Sequence, residues 1–241
     1  MNNNRTPLFL VALALGAALL GFAGGFAAQF TPLGRHATEN QVHAYLLEHP
    51  EILPEAMEQL RKKDMAARLD PLHTEVKAAF PGAVLGNPNG KNVLVEFSDY
   101  ACGYCRQSVA DVDALIAADP ELKVVIREYP ILSPESASAA RMALAAAEQG
   151  KFAGFHKAMF AAGRPSAATI AEAARQAGLD PERAAKFTAS ARVETEIAHN
   201  MSMAEALGIN GTPSWVAGKN VLSGAIGAGG LADALAGTPP S

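Results

Sequence analysis

Cys102 and Cys105 are the two cysteines of this 241-residue chain, set as Cys102-Gly103-Tyr104-Cys105. The β-prone run Val93-Leu94-Val95-Glu96-Phe97 precedes them, and Val109, Val112, Leu115 and Ile116 mark one stripe of a helix over 107–118. The first cysteine therefore stands at or next to a helix N-terminus, where unsatisfied N–H groups and the positive end of the helix dipole favour a thiolate. Thiols so placed titrate at about 3.5 to 7.5, against about 8.5 for free cysteine. This predicts an accessible, partly ionised Cys102 as nucleophile, with Cys105 one turn further in, more buried, resolving the mixed disulfide. A merely stabilising bridge is the competing use, but so small a loop removes little unfolded-state entropy. A structural zinc site needs about four ligands, and the nearest histidines along the chain, His73 and His156, lie far from the motif. Cu(I) held by two thiolates stays open as an alternative.

The elements that must position the pair follow from patterning. Strand 93–97, a loop over 98–101, the helix and a second β-prone segment, Leu122 to Ile126, make a βαβ unit with parallel strands and a right-handed crossover. From Pro134 to Leu207 an Ala-rich stretch, broken at Gly150, Gly163-Arg164-Pro165 and Gly178-Leu179-Asp180-Pro181, predicts four or so helices with no strand, an all-helical insertion. After Gly211-Thr212-Pro213, segments 214–217 and 221–223 flank Gly218-Lys219-Asn220 as a hairpin, and 231–236 closes as a short helix. A Glu96 carboxyl between Val95 and Phe97 would be desolvated, which raises its pKa and suits proton transfer with Cys105. The alternative is a solvent-facing glutamate on an edge strand. Trp215 and His156, the latter among Phe152, Phe155 and Met159, read as packed core.

With 49% hydrophobic and 18% charged residues and a net charge of −4, the chain is not fully disordered and lacks the basic excess of a nucleic-acid binder. Residues 1–28 read as an export signal, Arg5 ahead of an apolar run from Pro7 to Ala28, cleaved or retained as a membrane anchor. Either outcome places the rest outside the cytoplasm, where disulfide chemistry is permitted. Losing Arg5 with the segment changes the charge from −4 to −5. Over 37–80, Val42, Tyr45, Leu46, Ile52, Leu53, Met57 and Leu60 recur at helical spacing around a break at His49-Pro50, with Pro54 early in the second helix. Such a segment is a solvated linker, or it packs on the following domain or on another copy of itself.

Glu96 six residues before Cys102, the CGYC motif, and Gly211-Thr212-Pro213-Ser214 before a hairpin resemble, in that order, the thioredoxin fold of the DsbA/DsbC type over about residues 83–236. The resemblance implies an α/β thioredoxin fold with an all-helical domain inserted at about 134–207 and an N-terminal helical extension, the last similar to the ScsC group, some of whose members oligomerise through it. It implies that Glu96 lies buried below the cysteines and moves protons. It also implies that Pro213 is cis and, with Thr212, docks substrate backbone. Strong DsbA-type oxidants carry Pro-His between the cysteines; Gly103-Tyr104 with Thr212 looks like disulfide isomerases. The expected function is thus periplasmic thiol–disulfide exchange, isomerase or reductase ahead of dedicated oxidant. Its partners would be exported clients bearing thiols or disulfides, a membrane redox partner and further copies joined through 37–80, with no nucleic acid. No cofactor or metal is expected beyond the redox-active Cys102–Cys105 disulfide. The alternative reading is an exported copper-binding or chaperone module using the same thiols.

Overall fold

The structure, a computed structural model, describes residues 32–237, with side chains from residue 39; the segment read as an export signal or anchor lies outside them. The chain divides into two units at Leu60/Arg61. The first contains α1 (Pro32–Glu48) and the first half of α2 (Ile52–Leu69). The helix break falls at His49–Glu51, where Pro50 lacks the N–H that would continue the ladder. Val42, Tyr45, Leu47, Leu53, Met57 and Leu60 remain 50–71% exposed along these helices. No helix among the described residues is long and apolar enough to cross a membrane.

The second unit continues through a 3₁₀ turn (Asp70–Leu72) and α3 (His73–Lys77) into a five-stranded sheet. Its strands are β1 (Val84–Gly86), β2 (Asn92–Ser98), β3 (Leu122–Glu128), β4 (Ser214–Ala217) and β5 (Asn220–Ser223), in the order β1-β3-β2-β4-β5. β2 and β3 are parallel, joined through α4 (Gly103–Ala118) as the βαβ pattern predicts, and β1, β4 and β5 pair antiparallel with their neighbours. Strand alternation sends Leu94 and Trp215 into the core shared with both cysteines, Val112 and Leu115, while Val95, Phe97 and Val216 face Leu69, Val76 and Leu207 on the other side. Glu96, two residues from Leu94, points to the cysteine face, and β2 is flanked by strands on both sides. Glu96 is therefore not an edge residue.

Between β3 and β4 come five helices: α5 (Pro134–Glu148), α6 (Phe152–Ala161), α7 (Ala167–Gln176), α8 (Pro181–Thr188) and α9 (Ala191–Ala206). Three of them start on side-chain caps, Ser133 accepting from Ser136 N–H, Ser166 from Thr169 N–H and Asp180 from Arg183 N–H. Gly218 takes φ +58° in the two-residue turn between β4 and β5, and α10 (Gly227–Leu235) closes the fold.

Three elements differ from the sequence reading: α4 begins at Gly103 rather than at 107, and two strands change. β1 has only three residues, too few to show a period, and pairing with β3 creates it. β3 runs on through Arg127 and Glu128, beyond the β-prone segment Leu122 to Ile126. Both side chains are buried with partners. The Arg127 guanidinium donates to the carbonyls of Glu75, Val76 and Ala78, to Asn200 Oδ1 at 3.0 Å and to Glu196 Oε1 at 3.2 Å, tying α3 and α9 to the sheet. Desolvation lowers its pKa, with Glu196 and Glu75 opposing that shift.

Candidate active site

At the end of β2 the chain turns through Asp99, Tyr100 and Ala101, and Asp99 holds that turn. Its Oδ1 accepts from Ala101 N–H at 2.8 Å, its Oδ2 accepts from Ile131 and Leu132 N–H at 2.9 Å each, and its carbonyl accepts from Cys102 N–H at 3.0 Å. Cys102 is the N-cap of α4, with ψ 121° outside the helical range, and its Sγ accepts from Cys105 N–H at 3.4 Å. Across the site, the Cys102 thiol donates to the Thr212 carbonyl at 3.2 Å, and the Thr212–Pro213 peptide is cis. Both cysteines are free thiols, so this is the reduced state.

The two sulfurs are driven apart electrostatically. Hydrogen bonding from the Cys105 thiol, helped by the Thr212 side chain and by the backbone N–H groups of Cys105 and Tyr104, outweighs burial and lowers Cys102 to about 5. Burial raises Cys105, with the Cys102 hydrogen bond and the Glu96 charge pushing the same way. Burial likewise raises Glu96 to about 8; the Ser98 hydroxyl pulls it down and the Cys102 charge pushes it up. Among the described residues, the buried side-chain polar atoms without a hydrogen-bond partner are Ser98 Oγ and Thr212 Oγ1. These hydroxyls lie beside the two acids of the site, and each lowers its neighbour's pKa.

The structure thus brings together Cys102, Cys105, Glu96, Thr212 and Pro213, with Gly103 and a 65%-exposed Tyr104 on the rim. One expectation needs correcting. Cys102 is 6% exposed rather than openly accessible, because the Thr212–Pro213 segment from the far end of the fold closes over it; Cys105 is 1% exposed. Among the described residues no group of three or more His, Cys, Asp or Glu is placed to hold a metal ion. Sequence reading missed Asp99, Tyr100 and Glu128. An Asp three residues before the first cysteine in a predicted turn was a usable sign of Asp99, whereas Glu128 meets Tyr100 only through the parallel pairing of β2 with β3.

Residues 93–236 match the DSBA-like thioredoxin domain. The chain belongs to that family. Residues 37–67 further match the Copper resistance protein ScsC N-terminal domain. Among solved structures, a thioredoxin-like oxidoreductase from Silicibacter pomeroyi is 42% identical with a TM-score of 0.61, the match covering 64% of this chain and 89% of that one. The thiol-disulfide exchange protein alpha-DsbA2 of Wolbachia pipientis is 25% identical with a TM-score of 0.64, covering 69% and 91%. A linker-deletion variant of Proteus mirabilis ScsC, 23% identical, shares the fold at a TM-score of 0.68 over 86% and 96%. Among curated proteins, a Na(+)/H(+) antiporter NhaA 3 of Salinispora tropica is 32% identical over 127 residues, 51% of this chain. The chain spans about a fifth of that relative's length, 19%. The family match bears out the DsbA-like reading, with its helices inserted in a thioredoxin fold and its N-terminal helical region.

Proposed function

We propose that this DSBA-like chain exchanges disulfides with exported client proteins in the periplasm, and that it reshuffles or reduces them rather than serving as a dedicated oxidant. The observation that carries the reading is the asymmetry of the pair, Cys102 lowered to about 5 and Cys105 raised, beneath Thr212–Pro213. At neutral pH Cys102 is a thiolate. It attacks a client disulfide sulfur; that S–S bond breaks, its electron pair leaves on the other client sulfur, and a Cys102–client disulfide forms. Cys105 then gives its proton to Glu96 in its ionised form, a minority below about pH 8, and attacks the Cys102 sulfur, which oxidises the pair and leaves the client reduced. If instead a second client thiolate attacks, the client is isomerised and Cys102 is recovered. The Thr212 hydroxyl steadies the Cys102 anion, and the cis turn puts backbone next to the sulfur. A membrane redox partner would reset the pair.

Cys105→Ala is expected to accumulate mixed disulfides with clients through Cys102, seen as reducible high-mass bands and identified by mass spectrometry. Cys102→Ala is expected to lose all activity on scrambled ribonuclease. Retained activity in the Cys102 variant, or none in the wild type, overturns the reading.

Self-association through 37–80 belongs to the same proposal. Its support is the run of exposed apolar side chains on α1 and α2. Sedimentation of the wild type is expected to show more than one chain per particle, and the double variant Met57→Glu, Leu60→Glu is expected to sediment as a single chain. A single-chain wild type at micromolar concentration would discard this part alone.

A further inference from the structure

His156 lies on α6, in the helical insertion, and its imidazole is buried against Tyr100, Phe152 and Phe160 with ring centroids 4.9 to 5.6 Å away. It is packed in the core, as the sequence suggests, yet it is also wired. The Tyr100 hydroxyl stands between two buried groups, donating to Glu128 Oε1 at 3.2 Å and sharing a hydrogen bond of 3.1 Å with His156 Nδ1. His156 also lines a cleft of about 210 Å³ between α4, α6 and β1, and Glu96 lines the same cleft. Val109 and Ile116 form part of its wall, and the exposed Asp113–Lys157 pair, 3.5 Å apart, stands among its lining residues.

The row Glu128–Tyr100–His156 has two hydrogen-bond arrangements. With Glu128 ionised, Tyr100 O–H donates to Oε1, His156 Nδ1–H donates to the Tyr100 oxygen, and Nε2 is a bare acceptor. One proton taken up at Nε2 turns every donor round. The Nδ1 proton passes to Tyr100, the Tyr100 proton passes to Glu128, and the row ends neutral with the imidazole proton on Nε2. At no point does a stable imidazolium have to form, which matters because burial lowers His156 to about 4. Burial raises Glu128, the Tyr100 hydrogen bond opposes that shift, and the charges of Asp99 and Glu96 add to it, so Glu128 keeps a proton more readily than an exposed carboxyl does.

Resting on the exchange reading above, we infer that His156 is a proton-relay residue of the active site, passing to Glu96, across the cleft they share, a proton stored on Glu128. The relay acts when the oxidised pair is reduced. A dithiol reductant's thiolate attacks the Cys102 sulfur, the Cys102–Cys105 bond breaks, and Cys105 leaves with the electron pair and takes a proton from Glu96. In the same step the His156 Nε2–H replaces that proton as it leaves Glu96, the row shifts by one, and Glu128 is left ionised until solvent refills it. The groups that bear on the relay are Tyr100 from the loop after β2, Glu96 from β2, Glu128 from β3 with Asp99 beside it, Asp113 from α4 and Lys157 from α6.

The test is single-turnover reduction of the full oxidised chain by dithiothreitol from pH 6 to 10, with alkylation of Cys102 by iodoacetamide in the reduced chain as the control. His156→Ala is expected to slow reduction on the order of tenfold, less than the 10²–10⁴ of a group that itself transfers the proton. Added imidazole is expected to restore the rate, and Cys102 alkylation to stay at the wild-type rate. Glu128→Gln keeps the volume and a hydrogen bond to Tyr100 while removing the stored proton, so its rate is expected to fall away at lower pH than the wild type's. Wild-type rates in both variants overturn the relay, as does a slow His156→Ala that imidazole does not rescue or a Glu128→Gln profile superimposable on the wild type's. If the wild-type pair forms no disulfide, the exchange reading itself fails; if it forms and is reduced while the variants behave as wild type, only the relay falls.

Discussion

Glu96→Gln is expected to make the reduced protein more stable at neutral pH while crippling the resolving step. Folding raises the Glu96 pKa from its ordinary 4.5 to about 8, so the folded state holds a proton that the unfolded chain releases between those values. The group's contribution to stability is fully present below pH 4.5 and is lost as the pH rises toward 8. At pH 7 that loss is on the order of 3 kcal/mol by the usual ~1.4 kcal/mol per unit, reduced by whatever the buried amide leaves unpaired. A glutamine does not titrate and removes it. Urea unfolding of the two reduced proteins should therefore differ at pH 7 and coincide near pH 4. Resolution of a Cys102 mixed disulfide by Cys105 should slow on the order of 10²-fold, the lower end for loss of a positioned proton acceptor. Equal stability at both pH values would show that the carboxyl is not desolvated as its 3% exposure demands.

The second large effect is the potential of the pair. Stabilising the Cys102 thiolate stabilises the reduced form and makes the disulfide more oxidising. A thiol of about 7 accompanies about −270 mV in thioredoxin, and one of about 3.5 accompanies about −120 mV in DsbA. Cys102, lowered to about 5, falls between them, which places the expected potential at about −180 mV, the value of protein disulfide isomerase. Equilibration with a glutathione redox buffer measures it. A value near −120 mV would move the proposal to a dedicated oxidant, and one near −270 mV to a reductant. The same lowered pKa fixes the pH window: alkylation of Cys102 by iodoacetamide should be flat from pH 6 to 8 and fall as the pH drops through about 5.

Much of this site is legible in local sequence because its parts are local. A strand, a turn, two cysteines and a helix occupy 92–118 without interruption, so the N-cap position of Cys102 follows from the change of period from two to 3.6. Glu96 is placed on the cysteine face by the same alternation that buries Leu94. The charged end of β3 lies beyond the β-prone run, and charge ordinarily marks a surface. Arg127 and Glu128 are buried only because carbonyls of α3, Asn200 of α9 and the Tyr100 hydroxyl meet them there. No local pattern encodes partners that lie 28 to 73 residues away.

By itself the amino-acid sequence determined the cysteine pair, the helix that caps on one of them and the βαβ frame, since each rests on neighbours along the chain, and it determined the family through distant motifs that need only be read in order. Tertiary structure decided the rest. It set Thr212 over Cys102 across 110 residues, covered a thiol that looked open, and brought a histidine of the helical insertion to the same cleft as Glu96. The physical reason is that desolvation and hydrogen bonding, the two effects that fix these protonation states, depend on which groups folding packs together, and a linear pattern carries that only for residues within a turn or two of one another.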